Sequence, residues 1–195
     1  MTGWWVTVPM PFPEQQRAVL LDSAWRSIRH GVAHGKPLPV DLADFDKPLA
    51  EAGASFVTLH QQGALRGCIG TLEAYRPLIN DIAENAFAAA FRDPRFAPVR
   101  QAELKDISLD ISVLGKPETL EFGSQQDLLD QIRPDLDGLI LQDGLNRGTF
   151  LPAVWESLPE RKDFLRHLKI KAGLPPDHWS DTVEIWRYTT ECFGD

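Results

Sequence analysis

Apolar residues recur at steps of three and four from Glu14 to His30, where Ala18, Leu21, Trp25 and Ile28 fall on one stripe, and this spacing predicts an amphipathic helix ended by Gly31. From His34 to Ala54 the prolines at 37, 39 and 48 and the glycines at 35 and 53 predict loop, with at most one or two helical turns. Two β-rich runs follow, Ser55 to His60 and Ala64 to Gly70, and Gln61-Gln62-Gly63 between them reads as a three-residue hairpin loop. Arg76-Pro77 opens a second helix through about Phe91, with Ile79, Ile82, Ala83, Ala86 and Ala90 as its packing face. The run from Ile107 to Val113 alternates apolar and polar residues and predicts a half-buried strand.

The second half echoes the first. A strand-like Gly138 to Gln142, a turn at Asp143-Gly144 and a return through Phe150 are followed by a helix from roughly Pro159 to Ala172 and an alternating strand from Val183 to Tyr188. Arg66-Gly67 reappears as Arg147-Gly148. Two β-β-α-β units, whether duplicated or alike by chance, give an α+β fold of mainly antiparallel sheets with flanking helices. The expected organisation is an extended, proline-rich arm over residues 1–13 and a single domain over 14–195, divisible into sub-lobes at about 55–122 and 136–193.

Composition narrows the function classes. The chain of 195 residues carries a net charge of −8, which disfavours nonspecific binding to nucleic acid. It has no apolar run long enough to span a bilayer and no signal-peptide pattern at its start, so a cytoplasmic location is expected. Cys68 and Cys192 are read as free thiols in such a compartment, and CxxC metal spacing is absent.

The candidate chemistry centres on two motifs. In Leu65-Arg66-Gly67-Cys68-Ile69-Gly70 alternation would place Arg66, Cys68 and Gly70 on one face and Leu65, Gly67 and Ile69 on the core side. With a three-residue loop, Thr58 would stand opposite Arg66 and Phe56 opposite Cys68; another loop length changes that pairing. A guanidinium beside the sulfur would favour thiolate and make Cys68 a catalytic nucleophile, whereas between glycines cysteine also serves as a small hydrophobe. Gly67 and Gly70 bring the backbone close to a ligand or to a packed helix. In Arg92-Asp93-Pro94-Arg95-Phe96, Asp93 either clasps Arg92 or Arg95, or leaves Arg95 to converge with Arg66 on an anion. Arg147 is the counterpart of Arg66, with a structural role at a hairpin or a place in a second site.

Weaker candidates complete the inventory. His30 and His34 are four apart, but Gly31 and Gly35 are expected to break their helix and no third metal ligand is near. His60 is expected to be exposed, Glu73 and Asp110 to be surface carboxylates, and Ser23 lacks a nucleophile elbow. Arg161, Lys162, Arg166, Lys169 and Lys171 form a basic helix face that reads as solvated, with docking to an acidic partner or nucleic acid as the alternative.

The Arg66-Gly67-Cys68-Ile69-Gly70 and Arg92-Asp93-Pro94-Arg95-Phe96 runs, in that order, closely resemble the paired signatures of the AMMECR family, whose bacterial and archaeal members are called AmmeMemoRadiSam system protein A. The likeness extends from about Ser55 to Phe193, departs at Leu72, where an aromatic is often found, and leaves the N-terminal arm unmatched. It implies a fold of two unequal β-α-β repeats that exchange strands, a family without an established activity, and association with a Memo-type protein and a radical SAM protein. Neither partner's metal transfers: two cysteines cannot supply a radical SAM cluster's three thiolates, the histidines form no iron triad, and no cofactor is assigned. The leading expectation is a binding or accessory protein whose cleft, lined by Arg66, Cys68, Asp93 and Arg95 with Gly67 and Gly70, takes an anionic metabolite or a partner chain. The alternatives are an enzyme using Cys68 as nucleophile and, less favoured, a nucleic-acid-binding protein.

Overall fold

The structure, a computed structural model, describes residues 12–195, so the predicted arm lies outside the described residues except for Phe12 and Pro13. Along the chain come α1 (Glu14–His34), α2 (Lys47–Ala50), β1 (Ala52–Gly53), β2 (Ser55–Gln61), β3 (Ala64–Gly70), β4 (Arg76–Pro77), α3 (Leu78–Phe91) and β5 (Ile107–Leu114). After them come β6 (Glu118–Thr119), α4 (Gln125–Gln131), β7 (Gly138–Asp143), β8 (Asn146–Phe150), α5 (Arg161–Lys171), β9 (Glu184–Tyr188) and β10 (Thr190–Gly194). The fold is α+β, and the described residues divide into two compact units: those from Phe12 to Leu114 together with Glu191–Asp195, and Gly115–Thr190.

In the first unit a four-stranded sheet in the order β10-β5-β2-β3 is packed by α1 and α3. Leu20, Ala24 and Ile28 of α1, Ile79, Ile82 and Ala86 of α3, Val57 and Leu59 of β2, and Leu109 and Ile111 of β5 form one core. The alternation predicted for Ile107 to Val113 is realised, with Ile107, Leu109, Ile111 and Val113 all buried. α1 runs past its predicted stop. Gly31 lies inside the helix, where a Cβ would come within 2.4 Å of the Phe91 ring and 2.8 Å of Phe87, so glycine here permits close approach to α3. The helix ends instead at Gly35, which takes the left-handed conformation (φ 68°) and returns its amide to the Gly31 carbonyl.

The β2–β3 hairpin is tighter than predicted. Its loop is two residues, Gln62 and Gly63, with φ of 53° and 79°, and a bulge takes up the difference: Leu59 pairs with Gly67 and His60 with Leu65, leaving Arg66 without a partner on β2. Thr58 therefore stands opposite Cys68, and Phe56 opposite Gly70. Leu65, expected in the core, shares the outer face with His60 and is 42% exposed.

Asp81, in the first turn of α3, is fully buried and accepts hydrogen bonds from the Ser55 amide (2.8 Å) and hydroxyl (2.7 Å), Thr71 Oγ1 (2.7 Å), Arg76 Nε (2.8 Å) and Asn85 Nδ2 (2.9 Å). One carboxylate thus ties the start of β2 and the segment after β3 to the helix, its buried charge compensated by the donors it accepts from.

In the second unit the sheet order is β6-β9-β7-β8. Leu128, Ile132, Leu139, Leu141, Leu165, Leu168 and Ile185 pack around Trp155, whose ring stacks on Phe164 at 3.7 Å. Trp155 Nε1 donates to the Asp137 carbonyl (2.7 Å), while the Asp137 carboxylate holds Arg133. Asp143, at the end of β7, accepts from His178 Nε2 (2.5 Å), Thr182 Oγ1 (2.7 Å) and Ser180 Oγ (2.8 Å); these bonds, that from Thr182 foremost, hold its carboxyl down to about 2. The predicted basic face of α5 is not uniformly solvated. Lys169 is only 2% exposed, its Nζ bonds Gln125 Oε1 at 2.6 Å and lies 5.4 Å from the Trp179 ring centre, and burial pushes its amine below the usual lysine range. The amide of Gly115 donates to the Thr189 carbonyl (2.7 Å), which brings this unit's entry and exit together.

Glycine placement yields a stability test. A Cβ at Gly67 would lie 2.2 Å from the Ala89 carbonyl oxygen of α3, whereas one at Gly63 meets nothing within 4 Å and suffers only from its positive φ. By urea unfolding, Gly67→Ala is expected to cost about 3 kcal/mol or more, because backbone must shift, and Gly63→Ala about 1 kcal/mol. Equal costs would contradict the close approach of β3 to α3.

Candidate functional site

β3 ends the sheet, so part of its backbone faces away from β2, and the segment after α3 supplies side chains to meet it. The Cys68 amide donates to Asp93 Oδ2 (2.9 Å), and the Cys68 carbonyl accepts from Arg95 Nη2 (3.3 Å). Asp93 and Arg95 also grip each other through Nε–Oδ1 (2.9 Å) and Nη2–Oδ2 (2.6 Å). Asp93 is the clasp that sequence allowed as one option, with Arg95 rather than Arg92 as its partner; the Arg92 guanidinium lies over the Phe87 ring at 4.8 Å. The Arg95 hydrogen bonds hold the Asp93 carboxyl well below the usual carboxylate range, against the opposing effect of burial.

Arg66 fastens the same segment from the strand side. Its Nε bonds Glu103 (3.0 Å) and its Nη2 bonds the Ala97 carbonyl (2.9 Å), while its Nη1 is buried with no hydrogen-bond partner. Arg66 and Arg95 therefore flank one corner, each already matched to a carboxylate. Glu103 went unrecognised in the sequence; its carboxyl is held down chiefly by the Arg66 hydrogen bond.

The pairing expected around Cys68 is corrected. Leu65 pairs with His60 and Cys68 with Thr58, and Thr58 and His60 are two apart on β2, so it is Leu65 that shares the Cys68 face; Arg66 is the bulged residue between. Cys68 is half-buried, with Thr58 Oγ1 3.3 Å from its sulfur. Gly67 turns toward the Ala89 carbonyl and Gly70 toward the Phe56 ring, where a Cβ would sit at 2.3 Å, so both glycines serve close packing. Arg147 lies on β8 opposite Gln142, in the other unit.

The remaining candidates find specific surroundings. His60 is not a lone surface histidine: its Nδ1 lies 3.1 Å from Asp110 Oδ2. His30 and His34 do share the unbroken α1, with ring centres 4.4 Å apart, yet among the described residues no group of three or more His, Cys, Asp or Glu side chains could hold a metal ion. Cys192 is exposed and lies 3.2 Å from Ser112 Oγ on β5. It and Cys68 are on opposite edge strands of the sheet, three spacings or roughly 14 Å apart, which rules out a bond between them without strand movement.

This arrangement occurs in a sequence whose lineage is settled by comparison. A profile of the AMMECR1 family matches residues 21–193, and the chain belongs to that family. It is 42% identical over 164 residues to a protein of Methanothermobacter thermautotrophicus, covering 81% of this chain and 82% of the relative. A Thermotoga maritima protein is 39% identical over 86% of this chain and 92% of its own length. The crystal structure of the uncharacterised protein PH0010 from Pyrococcus horikoshii superimposes with a TM-score of 0.81 at 32% identity, covering 94% of this chain and 93% of that one. The family's function is uncharacterised, and among the described residues no helix is long and apolar enough to cross a membrane.

The clasp predicts a pH-dependent loss of stability. With its folded-state pKa depressed, Asp93 contributes stability that is complete above the ordinary carboxylate range and is lost as pH falls below it. Asp93→Asn is therefore expected to destabilise by about 1.5–3 kcal/mol near neutral pH, as for loss of a charge-assisted hydrogen bond, with the gap to the parent narrowing in acid. Thermal unfolding of both proteins across pH checks this, and a gap that stays constant or widens in acid would refute it.

Proposed function

We propose that this chain is a cytosolic binding or accessory protein that receives an anionic group, carboxylate or phosphate, at the corner between β3 and the Asp93–Ala97 segment. The observation that supports this most is Arg66 Nη1, a buried guanidinium donor without a hydrogen-bond partner. Such donors are rare in folded proteins, and an anion or water accepting from it removes the cost. Arg95 adds a guanidinium that is 54% exposed on the other side of the same segment. Because Glu103 and Asp93 already neutralise the two arginines, the affinity expected is modest and selective for groups that fit the remaining donors.

The family resemblance supports a place beside a Memo-type protein and a radical SAM protein, whose product or peptide would present the anion. The nucleic-acid alternative weakens: Lys169 is buried, Arg161 Nε is committed to the Ile132 carbonyl, and the net charge is −8.

Titration with inorganic phosphate and with succinate, followed by amide NMR, is expected to move the Cys68, Arg95 and Ala97 signals. Arg66→Gln should weaken that binding about tenfold, and Arg66→Lys should restore it only in part, since the fork is lost. Signals that stay still with both probes, or equal binding by Arg66→Gln, would defeat the proposal.

A further inference from the structure

The bulge that leaves Arg66 without a partner on β2 sets Cys68 opposite Thr58. Gly67 faces α3, so Cys68, the next residue, lies on the opposite face of the sheet. In register, Thr58 stands between Cys68 on β3 and Asp110 on β5. His60 is two residues along β2 on that same face, a diagonal neighbour of Cys68 at about 7–8 Å between backbones, a span an imidazole and one bridging water can close. Its Nδ1 faces Asp110 at 3.1 Å, so the carboxylate fixes the tautomer and leaves Nε2 as the basic nitrogen. Cysteine, histidine and aspartate thus occur on one face in the order that cysteine-dependent acyl transfer uses, with the Thr58 hydroxyl 3.3 Å from the sulfur as a donor to the thiolate.

We propose that His60, oriented by Asp110, is the base for Cys68, and that this face of the sheet reacts with activated acyl groups, esters or thioesters. The thiol proton passes to His60 Nε2, directly or through one water. The thiolate attacks the acyl carbon, a sulfur–carbon bond forms, and the bond to the leaving alkoxide or thiolate breaks as that group takes the proton from His60. Water then gives a proton to His60 and its hydroxide to the acyl carbon; the carboxylic acid leaves and the sulfur recovers its proton. No oxidant, metal or cofactor enters the balance. The charged groups around the sulfur are His60 and Asp110 across the sheet, Arg66 on its own strand, and Asp93 and Arg95 from the segment after α3. Arg95 is near enough to interact electrostatically with Cys68, and its charge opposes that of Asp93.

The reading is independent of anion binding at Arg66, and its test uses no anion. In a Cys192→Ser parent, which leaves Cys68 as the single thiol, alkylation by iodoacetamide is followed from about pH 5 to about pH 9, together with acylation by p-nitrophenyl acetate at pH 7, both located by mass spectrometry. His60→Gln is expected to move the half-maximal pH of alkylation upward and to slow both reactions about tenfold at pH 7, with Asp110→Asn acting in the same direction to a smaller extent. His60→Asn serves in place of His60→Gln should the latter not fold. Superimposable profiles for parent and variant, or labelling of Cys68 only after unfolding, would overturn the proposal.

Discussion

A strand at the end of a sheet leaves amides and carbonyls facing outward, and each must find water, another chain or a neighbour's side chain. In this protein the Asp93–Arg95 pair performs that task for β3: one carboxylate oxygen takes the Cys68 amide and one guanidinium nitrogen takes its carbonyl. The constraint explains why a charged pair occurs immediately after α3. A hydrophobic segment could cover the edge but could not satisfy both a donor and an acceptor, and an unpaired aspartate buried there would be costly. Arg66, reaching the other way to Ala97, makes the attachment reciprocal.

The same constraint shapes the reading of the two motifs. Their charged residues are first of all the fastening between an edge strand and the chain that follows α3. Chemistry at this place therefore has to use what the fastening leaves over: a buried guanidinium nitrogen without a hydrogen-bond partner, and a half-buried sulfur beside the Thr58 hydroxyl.

Much of the architecture was legible in the chain. The spacing of Ala18, Leu21, Trp25 and Ile28 and the alternation from Ile107 to Val113 report burial directly, because a helix stripe and a strand face each need apolar residues at a fixed period. Glycine was harder to read. Gly31 resembled a helix stop but fills a helix crossing, since local sequence cannot distinguish a glycine chosen for its backbone angles from one chosen for its missing side chain. The surroundings of Arg66 were lost for a related reason: Gln62 and Gly63 close the hairpin in two residues, and the bulge at Arg66 moves Leu65 to the outer face and sets Cys68 opposite Thr58 instead of Phe56, while Gly67 and Ile69 keep the core side. Lys169 sat in a run of basic residues, and its burial depends on Gln125 and Trp179, which are remote in sequence. The Asp81 cluster was missed because three of its four partner residues, Ser55, Thr71 and Arg76, lie outside α3.

The pinch at Gly115 and Thr189 marks where the chain leaves one sheet and returns to it, with β5 before the departure and β10 after. During synthesis β5 therefore emerges with one side unsatisfied and must wait while all of the second unit is translated. For that interval the nascent protein exposes a strand margin able to recruit another polypeptide, so its passage through the ribosome, rather than its finished form, is the stage at which misassociation is most to be expected.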